Sequence, residues 1–259
     1  MHIQASCRLV YEAKDLTPVW LFILPAHNAH QRVLQEALHL SQSVNQREGQ
    51  DPWGNRYLYL HLPPGIVEVN YKATVQLQPP STGLGPMAFP TAYLEPSRYC
   101  CPLQVRSLAQ ELFGGRPVNL DLAYRLNEWV CQYLTYTPGS STWETTATDT
   151  LLQKAGVCRD FAHTTIALAR ALDMPARYVS LYAPALQPPD FHACCELFVE
   201  GEWVRLDPTG LSQPDTTVLL ALGRDAQDAP VANFAGEVNC LEQQVQAEVL
   251  DSASYPQSA

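Results

Sequence analysis

The 259-residue sequence opens without a basic segment, apolar run and small-residue cleavage site, and it lacks any apolar run of about 18 residues. These absences predict a cytoplasmic chain with no membrane partner. Basic residues are scarce: 16 Lys and Arg stand against 26 Asp and Glu, giving a formal net charge of −10. Phosphate binding depends on clusters of Lys and Arg, so no nucleic-acid partner is expected. Neither a C-x-x-C nor an H-x₃₋₅-H spacing occurs among the eight cysteines and seven histidines, so no metal or other cofactor is expected. The adjacent pairs Cys100-Cys101 and Cys194-Cys195 and the irregular spacing of the rest predict reduced thiols rather than a disulfide framework. Internal repeats are missing as well. What is present, 46% apolar and 16% charged residues, reads as one large or two small globular domains.

Residues 1 to about 95 have the texture of strands. Ile3 to Tyr11, Val19 to Leu24, Gln31 to Leu40, Asn55 to Leu62 and Ile66 to Leu77 are rich in β-branched, aromatic and Leu residues, and turn clusters such as Asp51-Pro52-Trp53-Gly54-Asn55 separate several of them. In Tyr57 to Leu62 one face carries two Tyr and His and the other three Leu, the alternation of a half-buried strand. Gln31 to Leu40 also satisfies a helical stripe; its strand neighbours decide for strand. The expectation is an antiparallel β-sandwich domain.

Gln78 to Pro86, rich in Pro, Gly and Ser, reads as a linker. Helical patterning resumes at Leu103, and a second helix is predicted from Leu120 to Leu134 with Asn119 as N-cap and Trp129 in the core. Thr148 to Lys154 forms a short helical lead-in, and Ser140 to Thr148 before it reads as a solvated connection. Residues 96–242 form the second domain, and 243–259 a polar, Ser- and Gln-rich tail with frayed last residues.

The second domain is organised around Gly156 to His163. Phe161, Thr165, Leu168 and Leu172 recur at i, i+4, i+7 and i+11, as expected of a helix buried on one side and stopped at Pro175. Cys158 sits at the helix's mouth, where unpaired N–H groups and the positive dipole end favour a thiolate nucleophile. Its own N–H is the natural first oxyanion donor. Asp160 reads as a charge placed in the first turn. His163 is offset from Cys158 by about 140° around the helix and is not assigned as a base.

A nucleophilic thiol needs a base, and the base a third group to orient it. Phe191 to Val199 and Trp203 to Asp207 are strand-like runs around Glu200-Gly201. With that pair as the turn, Val199 faces Glu202, Cys194 faces Asp207, and His192 becomes the same-face diagonal neighbour of Asp207. A slip of one residue would put them on opposite faces.

The runs GVCRDFAHTTIALARALDMPARYVSLY and DFHACCELFVEGEWVRLDPTG resemble the transglutaminase-like superfamily of papain-type folds, in its bacterial cysteine-protease-like branch. LLALGRDAQDAPV is similar to the segment that follows the core there, and residues 1 to about 95 resemble the β domain that precedes it. The resemblance implies an α+β fold, an N-terminal antiparallel β-sandwich followed by a papain-like/transglutaminase-like core, with the nucleophile at a helix N-terminus packed on an antiparallel sheet. It further implies Cys158 as nucleophile, His192 as general base and Asp207 as its orienting group. Tyr136, which precedes the nucleophile much as aromatic residues do near such sites, is a candidate second oxyanion donor or site-lining group, with core packing as the other reading, and Asp160 is a site-lining candidate. Cys194 departs from the pattern, standing where relatives carry an aromatic residue. The implied reaction is amide-bond hydrolysis on a protein or peptide through a thioester acyl-enzyme. Acyl transfer to amines and a non-catalytic binding module retaining the fold are the alternatives.

Overall fold

The computed structural model describes residues 1–78 and 90–250. The expected linker therefore lies, from residue 79 on, outside the described residues, as does the end of the expected tail.

In chain order, β1 (His2–Ala13), β2 (Thr17–Leu21), β3 (Gln31–Leu40), β4 (Gln46–Gln50), β5 (Arg56–Leu62) and β6 (Gly65–Leu77) come first. Then follow α1 (Pro102–Phe113), α2 (Leu120–Tyr133), β7 (Thr135–Tyr136), α3 (Ala147–Gln153), β8 (Ala155–Gly156) and α4 (Cys158–Ala171). The remaining strands are β9 (Ala176–Tyr182), β10 (Phe191–Val199), β11 (Glu202–Leu206), β12 (Val218–Gly223), β13 (Ala232–Phe234) and β14 (Val238–Leu250).

Alternation builds the sandwich. Leu58, Leu60 and Leu62 of β5 turn inward with Val19 and Leu21 of β2, facing Ile3, Ala5, Leu9, Val67, Val69 and Val75 from the other layer. The layers are two antiparallel sheets, ordered β14-β1-β6-β3 and β13-β2-β5-β4. Each thus takes a strand from the far end of the chain. The expected tail is corrected here: residues 243–250 lie in β14, which pairs with β1 from His2↔Leu250 to Ala13↔Val238. Its Gln- and Glu-rich sequence conceals the strand, since only Val245 of this stretch is fully buried and the ladder to β1 does the holding. The expected boundary at residue 242 consequently falls inside a strand, and the β-sandwich is formed by residues on both sides of the helical region. β4, whose Gln-Arg-Glu-Gly-Gln sequence carries no strand signal, pairs with β5.

The second half packs α4 on an antiparallel sheet ordered β11-β10-β9-β12. Phe161, Ala162, Ile166, Leu168 and Ala169 of α4 share a core with Val105 and Ala109 of α1, Leu122, Leu126 and Val130 of α2, and Ala193, Cys195 and Leu197 of β10. Asn119 caps α2 as expected, accepting the Leu122 N–H at 3.0 Å. Trp129 is half-buried at this core's margin, stacked on Tyr133 with ring centroids 4.5 Å apart.

The halves are joined by more than apolar contact. Tyr182, Phe191, Val218 and Leu220 of the second sheet belong to the sandwich core. Two side-chain amides close the free edge of β12: Gln31 accepts the Leu219 N–H and donates to its carbonyl, each at 2.8 Å, and Asn55 does the same at Leu222, at 2.8 and 2.7 Å. A strand edge that would otherwise be unpaired is thus satisfied by amides that imitate a neighbouring strand.

Candidate active site

The approach to Cys158 is shaped by Gly156. A Cβ there would stand 2.6 Å from the Asp160 Cβ, so only glycine lets the chain pass this close to the first turn of α4. Asp160 is fully buried and organises that turn: Oδ2 accepts the Val157 N–H at 2.9 Å and the Ser141 hydroxyl at 2.5 Å, and Oδ1 accepts Arg159 Nη2 at 2.8 Å. It acts as a brace for the backbone that leads into Cys158, not as a wall of the site. Arg159 also donates to the Thr142 carbonyl at 2.6 Å. Ser140 to Thr148, expected to be a solvated connection, is therefore pinned to the start of α4; its last residues form the Thr146 cap and first turn of α3.

The parallel pairing of β7 with β8 sets Tyr136 opposite Gly156. From there its phenol faces the backbone N–H and thiol of Cys158 while remaining 41% exposed. Burial, and then the charge of Cys158, push its ionisation up to about 12, so the phenol keeps its proton at neutral pH.

The hairpin forms in the expected register, Val199↔Glu202 to Cys195↔Leu206, with the short turn at Glu200-Gly201. His192 and Asp207 project from the same face, 2% and 7% exposed, and Nε2 lies 2.8 Å from Asp207 Oδ2. The other ring nitrogen, Nδ1, is buried with no hydrogen-bond partner, and the thiol of Cys158 is the neighbouring group that can supply one. Burial pushes the imidazole down, but hydrogen bonds and charge from Asp207 and Cys158 outweigh it and raise it to about 9. Burial likewise opposes the Asp207 charge, and donors from His192, Ser212 and Thr209 reverse this, holding the carboxyl at about 2. At neutral pH the site therefore holds an imidazolium against a carboxylate.

The structure brings Cys158, His192, Asp207 and Tyr136 together. His163 is elsewhere, stacked on Tyr99 and accepting the Ala226 N–H at 3.1 Å through Nε2. Its burial, then the charge of Arg159, push it down to about 3, a permanently neutral ring. Cys194 is buried with Val179, Leu181 and Leu219 in a separate small core, its thiol pushed well up by burial. Two contributors escaped the sequence reading, Thr209 and Ser212, whose hydroxyls each reach Asp207 at 2.6 Å. Their signal was the hydroxyl residues two and five places after an aspartate in a Pro- and Gly-containing turn.

Residues 106–208, a span that includes Tyr136, Cys158, His192 and Asp207, match the model of the Transglutaminase-like superfamily. The crystal structure of a candidate cysteine protease from Cytophaga hutchinsonii is similar with a TM-score of 0.91 and 31% identity, over 97% of this chain and 91% of that one. An uncharacterized protein of Mycobacterium tuberculosis is 27% identical over 245 residues, 81% of this chain and 78% of its own length. Another, from Mycobacterium leprae, is 31% identical over 109 residues, 39% of each chain.

Proposed function

The chain belongs to the transglutaminase-like superfamily, and from that premise we propose that it is a thiol-dependent amide-bond hydrolase, a cysteine peptidase or amidase acting on a protein or peptide. The observation that carries the reading is the buried His192–Asp207 pair, 2.8 Å across, set beside a cysteine at a helix N-terminus.

In this reaction Sγ of Cys158 attacks the amide carbonyl carbon and the carbonyl electrons move to oxygen. The oxyanion receives the Cys158 N–H and the Tyr136 hydroxyl, both donors fixed before the charge forms. His192 then gives its Nδ1 proton to the departing nitrogen, the C–N bond breaks, and a thioester remains on Cys158. Water attacks the thioester carbon while Nδ1 takes one of its protons, the C–S bond breaks, and the carboxylic acid leaves with Cys158 restored as a thiolate beside the imidazolium. Asp207 keeps Nε2–H in place throughout, so that Nδ1 is always the exchanging nitrogen.

Limited alkylation tests this. Wild-type protein treated with substoichiometric iodoacetamide is expected to be modified first at Cys158, and His192→Ala to lose that preference. Equal, slow labelling of the accessible cysteines in both proteins would defeat the enzymatic reading. Amide libraries screened with and without amine acceptors then separate hydrolysis from transamidation.

A further inference from the structure

We propose that Thr209 and Ser212 are positioning residues for the reaction, acting on the imidazole through the Asp207 carboxylate; the proposal rests on the hydrolase reading above.

Asp207 follows the last residue of β11, the outermost strand of its sheet, where the ladder to β10 has ended. A carboxylate there has one obvious partner and is otherwise free to turn about its side-chain bonds. The loop that follows removes this freedom. Oδ1 accepts the Thr209 N–H at 2.9 Å and the Thr209 hydroxyl at 2.6 Å. Oδ2 accepts the Ser212 N–H at 2.8 Å and the Ser212 hydroxyl at 2.6 Å beside His192 Nε2.

A carboxylate offers about four lone-pair directions. Five donors saturate it. Two on Oδ1 and three on Oδ2 fix the plane of the group, and only in that plane does Oδ2 meet Nε2 in line. The side chain is 2% exposed, so the loop supplies nearly all of the solvation that water would otherwise provide.

The need is greatest in mid-reaction. While His192 is an imidazolium, Asp207 has a cation beside it. Once the Nδ1 proton has gone to the leaving nitrogen, a buried carboxylate faces a neutral ring, and the two hydroxyls and two backbone N–H groups are the donors that remain for its charge alongside Nε2–H. Ser212 thereby differs from an ordinary loop staple. It touches the oxygen that touches the imidazole.

The experiment uses the full chain carrying Cys158→Ala, with the Asp207 carboxyl followed by ¹³C NMR against pH and the melting temperature measured alongside. Ser212→Ala and Thr209→Val are each expected to raise the Asp207 titration by about one pH unit, the size of one lost charge-assisted hydrogen bond. Ser212→Thr, which keeps the hydroxyl, is expected to leave it in place. An Asp207 titration that does not move in the doubly substituted chain, whatever the melting temperature does, overturns the proposal and leaves the hydroxyls as braces of the loop. Failure of Cys158 to alkylate selectively in the wild-type chain would instead overturn the hydrolase reading, and the carboxyl titration is independent of that result.

Discussion

His192 and Asp207 are 15 positions apart in the chain and 2.8 Å apart in space because the turn between their strands is two residues long. Glu200 and Gly201 both take positive φ, 54° and 89°. That conformation matches the natural twist of paired strands and closes the hairpin without a bulge. One more residue in the turn would carry Asp207 to the other face.

The pair makes stability depend on pH in a definite sense. Asp207 is lowered from 3.8 to about 2, so its contribution is present above its unfolded value and is lost as pH falls through about 2. His192 is raised from 6.5 to about 9, so its contribution is complete below its unfolded value and is lost as pH rises through about 9. Both operate together between about pH 4 and 6.5. Asp207→Asn is expected to lower the melting temperature most near pH 5 and progressively less toward pH 10; thermal scans across this range check it, and a pH-independent difference would contradict the assignment.

Tyr136 is set against the backbone N–H of Cys158, the first oxyanion donor in the proposed reaction. Tyr136→Phe is expected to lower kcat by about 10²-fold, with KM little changed, the usual scale for one lost oxyanion donor. Steady-state kinetics on an amide substrate read this directly. A variant with normal kcat would reduce the phenol to a packing group.

Gly156→Ala places a Cβ 2.6 Å from that of Asp160. The first turn of α4 must then shift, at a cost of about 1–3 kcal/mol. Urea denaturation gives the cost. Selective alkylation of Cys158 is expected to weaken with it, since Asp160 positions the backbone that carries the thiol.

Gln31 is buried and its side chain makes three hydrogen bonds, two of them to Leu219 on the edge of β12 and one to the Ala26 carbonyl. Gln31→Ala strands the Leu219 N–H and is expected to destabilise the whole chain by about 1–3 kcal/mol. A single unfolding transition, shifted but not split, is the expected result. Two separated transitions would mean that the sandwich and the sheet that carries His192 unfold independently.

Local chemistry was legible in the sequence. The 3.6-residue stripe from Phe161 to Leu172 gave α4, and Cys158 at its head followed from where the stripe began; the structure starts that helix at Cys158. The Glu200-Gly201 turn fixed the β10–β11 register, because side-chain alternation allows only one face for each residue once the turn is set. Asn119 revealed the start of α2 by the same local logic, a side chain that bonds its own neighbours.

What depended on distant partners stayed hidden. β14 is a strand because β1 lies beside it, and no periodicity of its own declares this. Gln31 and Asn55 read as ordinary polar residues until β12 arrives to meet them. Of the donors around Asp207 only His192 followed from the hairpin register; Thr209 and Ser212 left a hint in their spacing, but that they converge on the carboxylate is a property of the folded loop. Sequence determined which groups could perform the chemistry and on which elements they ride, because those depend on residues a few positions apart. Tertiary structure decided what holds them in place, because burial and pairing join residues from opposite ends of the chain.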